Sequence, residues 1–179
     1  MLSACGIEKR EEIIDFVPPP DSFFNSILNG SPDIADEELE AIGKFQVKHL
    51  PGFNPERVYL FVVDTTEESG EYCLGAWACT YVVGGLSKVM VPWDLTLSNW
   101  PVNKSAVKVS AQTIAHEFCH AYYYQDGGDG DPLHSHQECF GDDGGNYGGS
   151  DPNNPTVVVR VAQDFVQAYA DKILAERKQ

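Results

Sequence analysis

The feature that most constrains this chain is the pentapeptide from His116 to His120, which reads His-Glu-Phe-Cys-His. Side chains four positions apart on an α-helix project from one face about one turn apart, so both imidazoles can reach one metal ion. Glu117 stands beside the first histidine, where its carboxylate can take a proton from water activated by that metal. The pentapeptide therefore predicts a helix that carries a metal site.

The residues around the pentapeptide predict a helix over about residues 105–125. Its apolar side chains recur at the helical period and form one stripe, and His116 and His120 fall on the far side from that stripe. The members of the stripe are Ala111, Ile114, Ala115, Phe118 and Tyr122. We therefore expect the helix to press one face onto the core and to present its histidines on another.

The third ligand of this predicted site is open between two histidines. Four of the five histidines fall between residues 116 and 136, which argues against a surface helix with two solvated imidazoles. Zinc that keeps one position for water takes three protein ligands. We therefore expect one of His134 and His136 to complete the set with His116 and His120. The spacing to Phe140 favours His136, whereas the short approach after Asp131-Pro132 favours His134.

Acidic residues near the pentapeptide are weaker candidates for the third ligand. Asp126 occupies the position that metzincins use, but Tyr123 stands where their turn requires glycine, and no methionine follows the site. Glu138 is a further, weak candidate. Asp142 and Asp143 resemble the third ligand of aspzincins, although their spacing differs by one residue.

In these residues the chain resembles the SprT-like zinc metallopeptidases and related bacterial metallopeptidase lipoproteins. Their pattern is His-Glu-x-x-His-Ala, a loop, and then a third histidine followed by an aromatic residue. Here it corresponds to residues 116–121, the loop 122–133, and His134 or His136 ahead of Phe140. The resemblance implies a zincin-like fold, a bound Zn²⁺ and the hydrolysis of peptide bonds.

The implied mechanism makes Glu117 the general base. It would remove a proton from zinc-activated water and later pass that proton to the leaving amine. Tyr124, Tyr147 and the histidine of the 134/136 pair that does not bind metal are candidates to stabilise the oxyanion. The alternative is a catalytically inactive metal-binding or interaction module of the same fold.

Composition narrows the set of partners. With 27 Asp and Glu against 12 Lys and Arg, the formal net charge is -15. A field of that sign repels phosphate backbones, so we expect a protein or peptide substrate and no nucleic acid. Some SprT-like proteins act on DNA-linked substrates in basic surroundings, whereas this chain is acidic. The resemblance therefore supports the zinc site and the fold more strongly than it supports any particular substrate. The Asp126–Asp131 loop is acidic enough to suggest Ca²⁺ as a further cation, but a solvated turn is the simpler interpretation.

The first residues suggest a tether. Leu2-Ser3-Ala4-Cys5-Gly6 resembles a bacterial lipoprotein processing site, in which the cysteine becomes acylated, although a pattern this short also arises by accident. The acidic, proline-rich stretch after it suits a linker. We therefore expect a tether over residues 1–30, a domain over residues 31–179 and an extracytoplasmic location with membrane attachment through Cys5.

The remaining four cysteines form an even set that an oxidising compartment could pair. A bridge between Cys119 and Cys139 would join the two halves of the site. Cys73 and Cys79 can pair only if the chain turns between them, because six residues of extended strand separate their ends too far. The alternative is four buried free thiols.

The predicted fold class is α+β: a small twisted sheet packed on the motif helix, closed by a C-terminal helix. Val58–Val63 is a continuous apolar run, typical of a strand covered on both faces. Gly84-Gly85 predicts a tight hairpin turn between two strands. The remaining expected elements are a helix over 31–49, a polar turn over 64–70, strands over 77–83 and 88–91, and a helix over 157–178.

Overall fold

The computed structural model describes residues 23–96, 102–141 and 153–177. Over these ranges the chain is an α+β protein with a four-stranded mixed sheet and five α-helices. The strands are β1 Ser26–Asn29, β2 Val58–Val63, β3 Cys79–Val83 and β4 Leu86–Pro92. The helices are α1 Asp36–His49, α2 Thr66–Tyr72, α3 Lys104–Gln125, α4 Gln137–Phe140 and α5 Val157–Glu176.

The sheet has the strand order β1-β2-β4-β3. The pairs β1–β2 and β2–β4 are parallel, whereas β3 runs antiparallel to β4 and forms an edge of the sheet. The hairpin between β3 and β4 turns at Gly84 and Gly85, as predicted, and both have positive φ (60° and 80°). That conformation is accessible to glycine without strain.

Strand β2 is covered on both faces, in agreement with the prediction. Val58, Leu60 and Val62 belong to the main core, which also contains buried residues of α1, α3 and α5. Phe61 and Val63, on the alternate face, pack in a second and smaller cluster with Cys73, Cys79 and Met90. Side chains of a strand alternate between faces, so a strand buried on both sides needs apolar residues throughout.

The folded part of the chain begins before the expected domain boundary at residue 30. Phe24 is 1% exposed and lies in the main core, with its ring centroid 5.4 Å from that of Phe118 in the motif helix. Strand β1 pairs with β2 over its whole length. Residues 23–30, which were expected in the tether, therefore contribute a strand and a core residue. The lipoprotein-like pattern at Cys5 lies outside the described residues.

The polar segment after β2 is a helix, and its prediction as a turn was wrong. Helix α2 begins after Thr65, whose side chain accepts a hydrogen bond from the backbone N–H of Glu68. The negative charges of Glu67 and Glu68 in its first turn interact favourably with the partial positive charge of the helix N-terminus. Only Ser69 of this helix is buried, so the segment needs no apolar stripe, and its sequence lacks the pattern that predicts a helix.

Helix α3 is much more buried than one apolar stripe implies. Of its 22 residues, 14 are buried, and these include His116 and Glu117. The helix lies against the sheet, α1 and α5, and it is covered on the histidine side by α4 and the loop before it. The expectation of a helix with one core face is therefore corrected: α3 is central, and its metal-site face is buried too.

Two disulfides connect the four cysteines of the domain. Cys73 pairs with Cys79 (Cα–Cα 5.6 Å) and Cys119 pairs with Cys139 (Cα–Cα 6.1 Å). The short loop turns at Leu74 and Gly75, which both have positive φ. Disulfides of this kind are typical of oxidising compartments. None of the helices in the described ranges is long and apolar enough to span a bilayer.

Candidate metal centre

Three imidazoles converge on the histidine side of α3. His116 and His120 come from successive turns of the helix, and His134 comes from the loop between α3 and α4. The Nε2 atom of His120 lies 3.1 Å from Nε2 of His116 and 3.2 Å from Nε2 of His134. One ligand atom from each residue falls within 4.8 Å of the others, so the three histidines could hold a metal ion.

Two of the three separations between these nitrogens fit a tetrahedral metal ion. Zinc–nitrogen bonds are about 2.0–2.1 Å, so two ligands at a tetrahedral angle stand about 3.3 Å apart. The Nε2 separations of His120 from His116 and from His134, 3.1 and 3.2 Å, lie close to that value. Three nitrogen donors around one ion also leave a fourth position for water or substrate, which distinguishes catalytic from structural zinc sites.

A backbone carbonyl fixes the orientation of His120. Its Nδ1 lies 2.6 Å from the carbonyl oxygen of Gly130, and because a carbonyl only accepts, Nδ1 carries the proton. Nε2 therefore presents its lone pair to the other imidazoles, the tautomer that metal binding needs. Gly130 has φ of 80°, and a Cβ there would clash with the ring of Tyr124. A side chain at this position would therefore be strained and would require the loop or the Tyr124 ring to shift.

Burial keeps the two helical imidazoles neutral. It lowers the pKa of His116 to about 2, with further lowering from the neighbouring His120 and His134. It likewise lowers the pKa of His120 to about 4, against an opposing contribution from the hydrogen bond to Gly130. Neutral imidazole is the form that binds a metal ion. The site is therefore ready to bind at neutral pH.

The loop after α3 separates the two candidate third ligands. The Asp131 carboxylate accepts hydrogen bonds from the backbone N–H groups of Ser135 and His136, and from the Ser135 hydroxyl. It also accepts from Nδ1 of His136 at 2.8 Å. The ring of His136 stacks on Tyr123 at 4.0 Å, and its side chain is 54% exposed. His134, and not His136, therefore belongs to the imidazole cluster.

Asp131 is held ionised by the contacts that shape this loop. Burial by itself raises the pKa of its carboxyl, but the hydrogen bonds from Ser135 and His136 outweigh that effect and hold the pKa well below its usual range. Asp131 and His134 both have φ of 53°, in the left-handed region. With this backbone conformation the loop turns towards α3, and the ring of His134 lies next to that of His120.

A phenyl ring covers the cluster. The centroid of Phe140 lies 4.9, 4.8 and 4.7 Å from those of His116, His120 and His134. Phe140 is in α4, next to Cys139, which is bonded to Cys119 on α3. An apolar cover lowers the local dielectric and limits the access of solvent to a metal site. The disulfide thus holds this cover against the three imidazoles.

The carboxylate of Glu117, the residue after His116, is buried. Burial raises its pKa to about 7, although a hydrogen bond from Thr80 lowers it in part. The Thr80 hydroxyl lies 2.7 Å from Oε2 and 3.0 Å from the backbone oxygen of Glu117. Thr80 belongs to the edge strand β3, so this contact connects the sheet to the candidate site.

The other predicted site residues do not join the imidazole cluster. Asp126 caps the C-terminus of α3 and is exposed, and Glu138 is exposed on α4. In the loop suggested for Ca²⁺, Asp129 accepts from the backbone of Asp131. Among the described residues the three histidines form the one group able to hold a metal ion. Candidates outside those ranges are Asp142, Asp143 and Tyr147.

Sequence reasoning missed three residues that shape the site: Thr80, Gly130 and Asp131. The run of Asp and Gly before Pro132 was a signal for a special backbone at Gly130 and Asp131, but it was interpreted as a solvated turn. Thr80 gave no signal, because its contact with Glu117 spans 37 residues of sequence. Such a contact exists only once the sheet packs on α3.

Comparisons with known proteins do not extend this description. No protein-family model matches the chain, no curated protein matches it, and no solved structure matches it.

Proposed function

We propose that this protein is a zinc-dependent peptidase of zincin-like fold, with Glu117 as its general base. The observation that carries the proposal is a buried carboxylate that directly follows His116 on the helix that holds two of three converging imidazoles. Three nitrogen ligands with one open position are typical of catalytic zinc. The resemblance of residues 116–140 to SprT-like metallopeptidases supports the same reaction.

His116, His120 and His134 would hold the ion. Zinc bound there would lower the pKa of water towards about 7 and polarise the scissile carbonyl. Glu117 takes the proton of the attacking water and delivers it to the amine nitrogen of the leaving peptide. In the metal-free protein burial raises the pKa of Glu117 to about 7, and a bound cation would lower it towards the ionised form that accepts the proton.

The substrate is proposed to bind along β3. Within the described ranges β3 pairs with β4 on one side and with no strand on the other. An extended peptide can add to such an edge through main-chain hydrogen bonds. Because Thr80 of β3 contacts Glu117, a peptide bound there would pass close to the carboxylate.

We infer an extracytoplasmic location from the two disulfides, together with the lipoprotein-like pattern at Cys5. Membrane attachment through an acylated cysteine would follow from that pattern.

The test is the replacement of Glu117 by glutamine, with zinc content and hydrolysis measured on the same preparation. We expect E117Q to keep its zinc and to hydrolyse a mixed peptide library at least about 100-fold more slowly than the wild type. The control is E71Q, a change of an exposed carboxylate on α2, which should retain both properties.

Two outcomes would contradict the proposal. Wild-type turnover by E117Q would exclude Glu117 as the base. A wild-type protein that binds zinc and cleaves none of the library peptides would favour the alternative, an inactive metal-binding module of the same fold.

A further inference from the structure

We propose that Thr80 is a positioning residue that decides which oxygen of Glu117 receives the proton during peptide hydrolysis. This inference rests on the proposed function, because it concerns the same general base. The Thr80 hydroxyl lies 2.7 Å from Oε2 of Glu117. Both residues are buried, with 7% of Thr80 and 5% of Glu117 exposed. Solvent therefore does not compete for this hydrogen bond.

The geometry selects one of two acceptors for the hydroxyl. Thr80 carries one donor hydrogen, and both Oε2 at 2.7 Å and the Glu117 carbonyl oxygen at 3.0 Å are within reach. Bonds to an ionised acceptor are shorter and stronger than bonds to a neutral carbonyl. The hydrogen therefore points to Oε2 while Glu117 is ionised.

This hydrogen bond assigns different roles to the two carboxylate oxygens. The terminal torsion of a glutamate is broad and roughly two-fold, so helix geometry alone does not orient the carboxylate. A hydroxyl that donates to Oε2 opposes protonation of that oxygen. The proton taken from water consequently goes to Oε1, and from there it passes to the leaving amine. Thr80 keeps its own proton throughout.

The hydroxyl is held by elements other than the helix that carries Glu117. Thr80 lies opposite Val89 in the β3–β4 pair. Its neighbour Cys79 is bonded to Cys73 at the end of α2. The sheet and the disulfide thus fix one side of the contact, and α3 fixes the other. This arrangement suits a positioning role, since the base cannot turn without breaking a contact to a rigid strand.

The experiment compares T80V with T80S in the full-length zinc-loaded protein. We expect T80V to lower kcat by about 10- to 100-fold, with KM and zinc content unchanged, because the base is misplaced while binding is intact. T80S restores the hydroxyl and should recover kcat to within about threefold of the wild type. The control is T113V, which removes another buried hydroxyl, one that donates to the Val109 carbonyl of α3.

A second measurement does not depend on turnover. A crystal structure of metal-free T80V should show the Glu117 carboxylate rotated or in two orientations, whereas T113V should show it as in the wild type. The proposal is overturned if T80V retains wild-type kcat, if T113V loses as much activity, or if T80S fails to recover it. Loss of zinc or of folding in both T80V and T80S would likewise indicate a structural role. An inactive wild type would instead refute the proposed function.

Discussion

His134 and His136 lie two positions apart and have entirely different surroundings. His134 faces the imidazoles of α3, whereas His136 donates to Asp131 and stacks on Tyr123. Four donors converge on the Asp131 carboxylate, and the two left-handed residues of the loop let the chain fold around it. Residue type alone could not separate the two histidines, because both are suitable ligands and the loop conformation makes the choice.

Replacing these histidines one at a time tests this assignment. We expect H134A to weaken zinc binding by at least about 100-fold, since a ligand is lost, and H136A to weaken it by less than about 10-fold. Competition with a chromophoric chelator gives both affinities. The reverse order, or equal losses, would contradict the assignment of His134 as the third ligand.

Among the elements, those with strong local signals were predicted well. The bounds of β2 match its apolar run, the hairpin turns at the two glycines, and the structure has α3 at Lys104–Gln125 and α5 at Val157–Glu176. Periodicity is a local property, so it can be read along the chain. Strand β1 was missed because its four residues are too few to show a period, and its pairing with β2 is a long-range contact.

Helix α4 shows how one covalent connection can govern the site. The disulfide between Cys119 and Cys139 closes a loop that contains both His120 and His134 and positions Phe140 over the rings. The Cys73–Cys79 disulfide closes a much shorter loop, at the edge of the sheet. The two disulfides should therefore differ in their influence on metal binding.

Alanine pairs in place of each disulfide test this difference. Removal of Cys119–Cys139 should lower the free energy of unfolding by about 3 kcal/mol and zinc affinity by about 10-fold or more, because the loop with His134 is released. The C73A/C79A control removes the disulfide that closes the shorter loop. Its free energy of unfolding should therefore fall by about 2 kcal/mol, and its zinc affinity should stay unchanged. Urea unfolding and chelator competition measure the two quantities. Equal zinc affinity in both variants would contradict the expected role.

At the scale of the whole molecule, the site is part of the core. Phe118 of α3 contacts Phe24 and Phe53 on one side, while His116 and Glu117 are buried on another. Burying ionisable groups has a cost that must appear in the stability of the fold. Folding stability and the protonation of the site are therefore coupled.

Glu117 makes one contribution to the pH dependence of stability, and the lowered pKa values of His116 and His120 contribute in the opposite direction. Burial, opposed in part by Thr80, raises its pKa from 4.5 to about 7, so between these values the folded metal-free protein holds a proton that the unfolded chain has released. The stability that protonated Glu117 contributes to the folded state is fully present below pH 4.5 and is lost as the pH rises through 7. Relative to that of E117Q, the free energy of unfolding of the metal-free wild type should fall by about 3 kcal/mol between pH 4.5 and pH 7.

Urea unfolding in the presence of a chelator, at several pH values between 4.5 and 7.5, measures this difference. The comparison with E117Q cancels the contributions of all other titrating groups. If the two stability curves run parallel over the window, Glu117 does not carry the shifted proton.

The sequence by itself determined the motif helix, the buried strand, the hairpin and two of the three imidazoles, because these depend on spacing along one element. The tertiary structure decided that His134 is the third imidazole, that Phe140 of α4 covers the histidine side of α3, and that Thr80 contacts Glu117. Each of these depends on contacts between residues far apart in the chain. Such contacts arise only when loop conformation and sheet packing are formed together, and no local pattern encodes them.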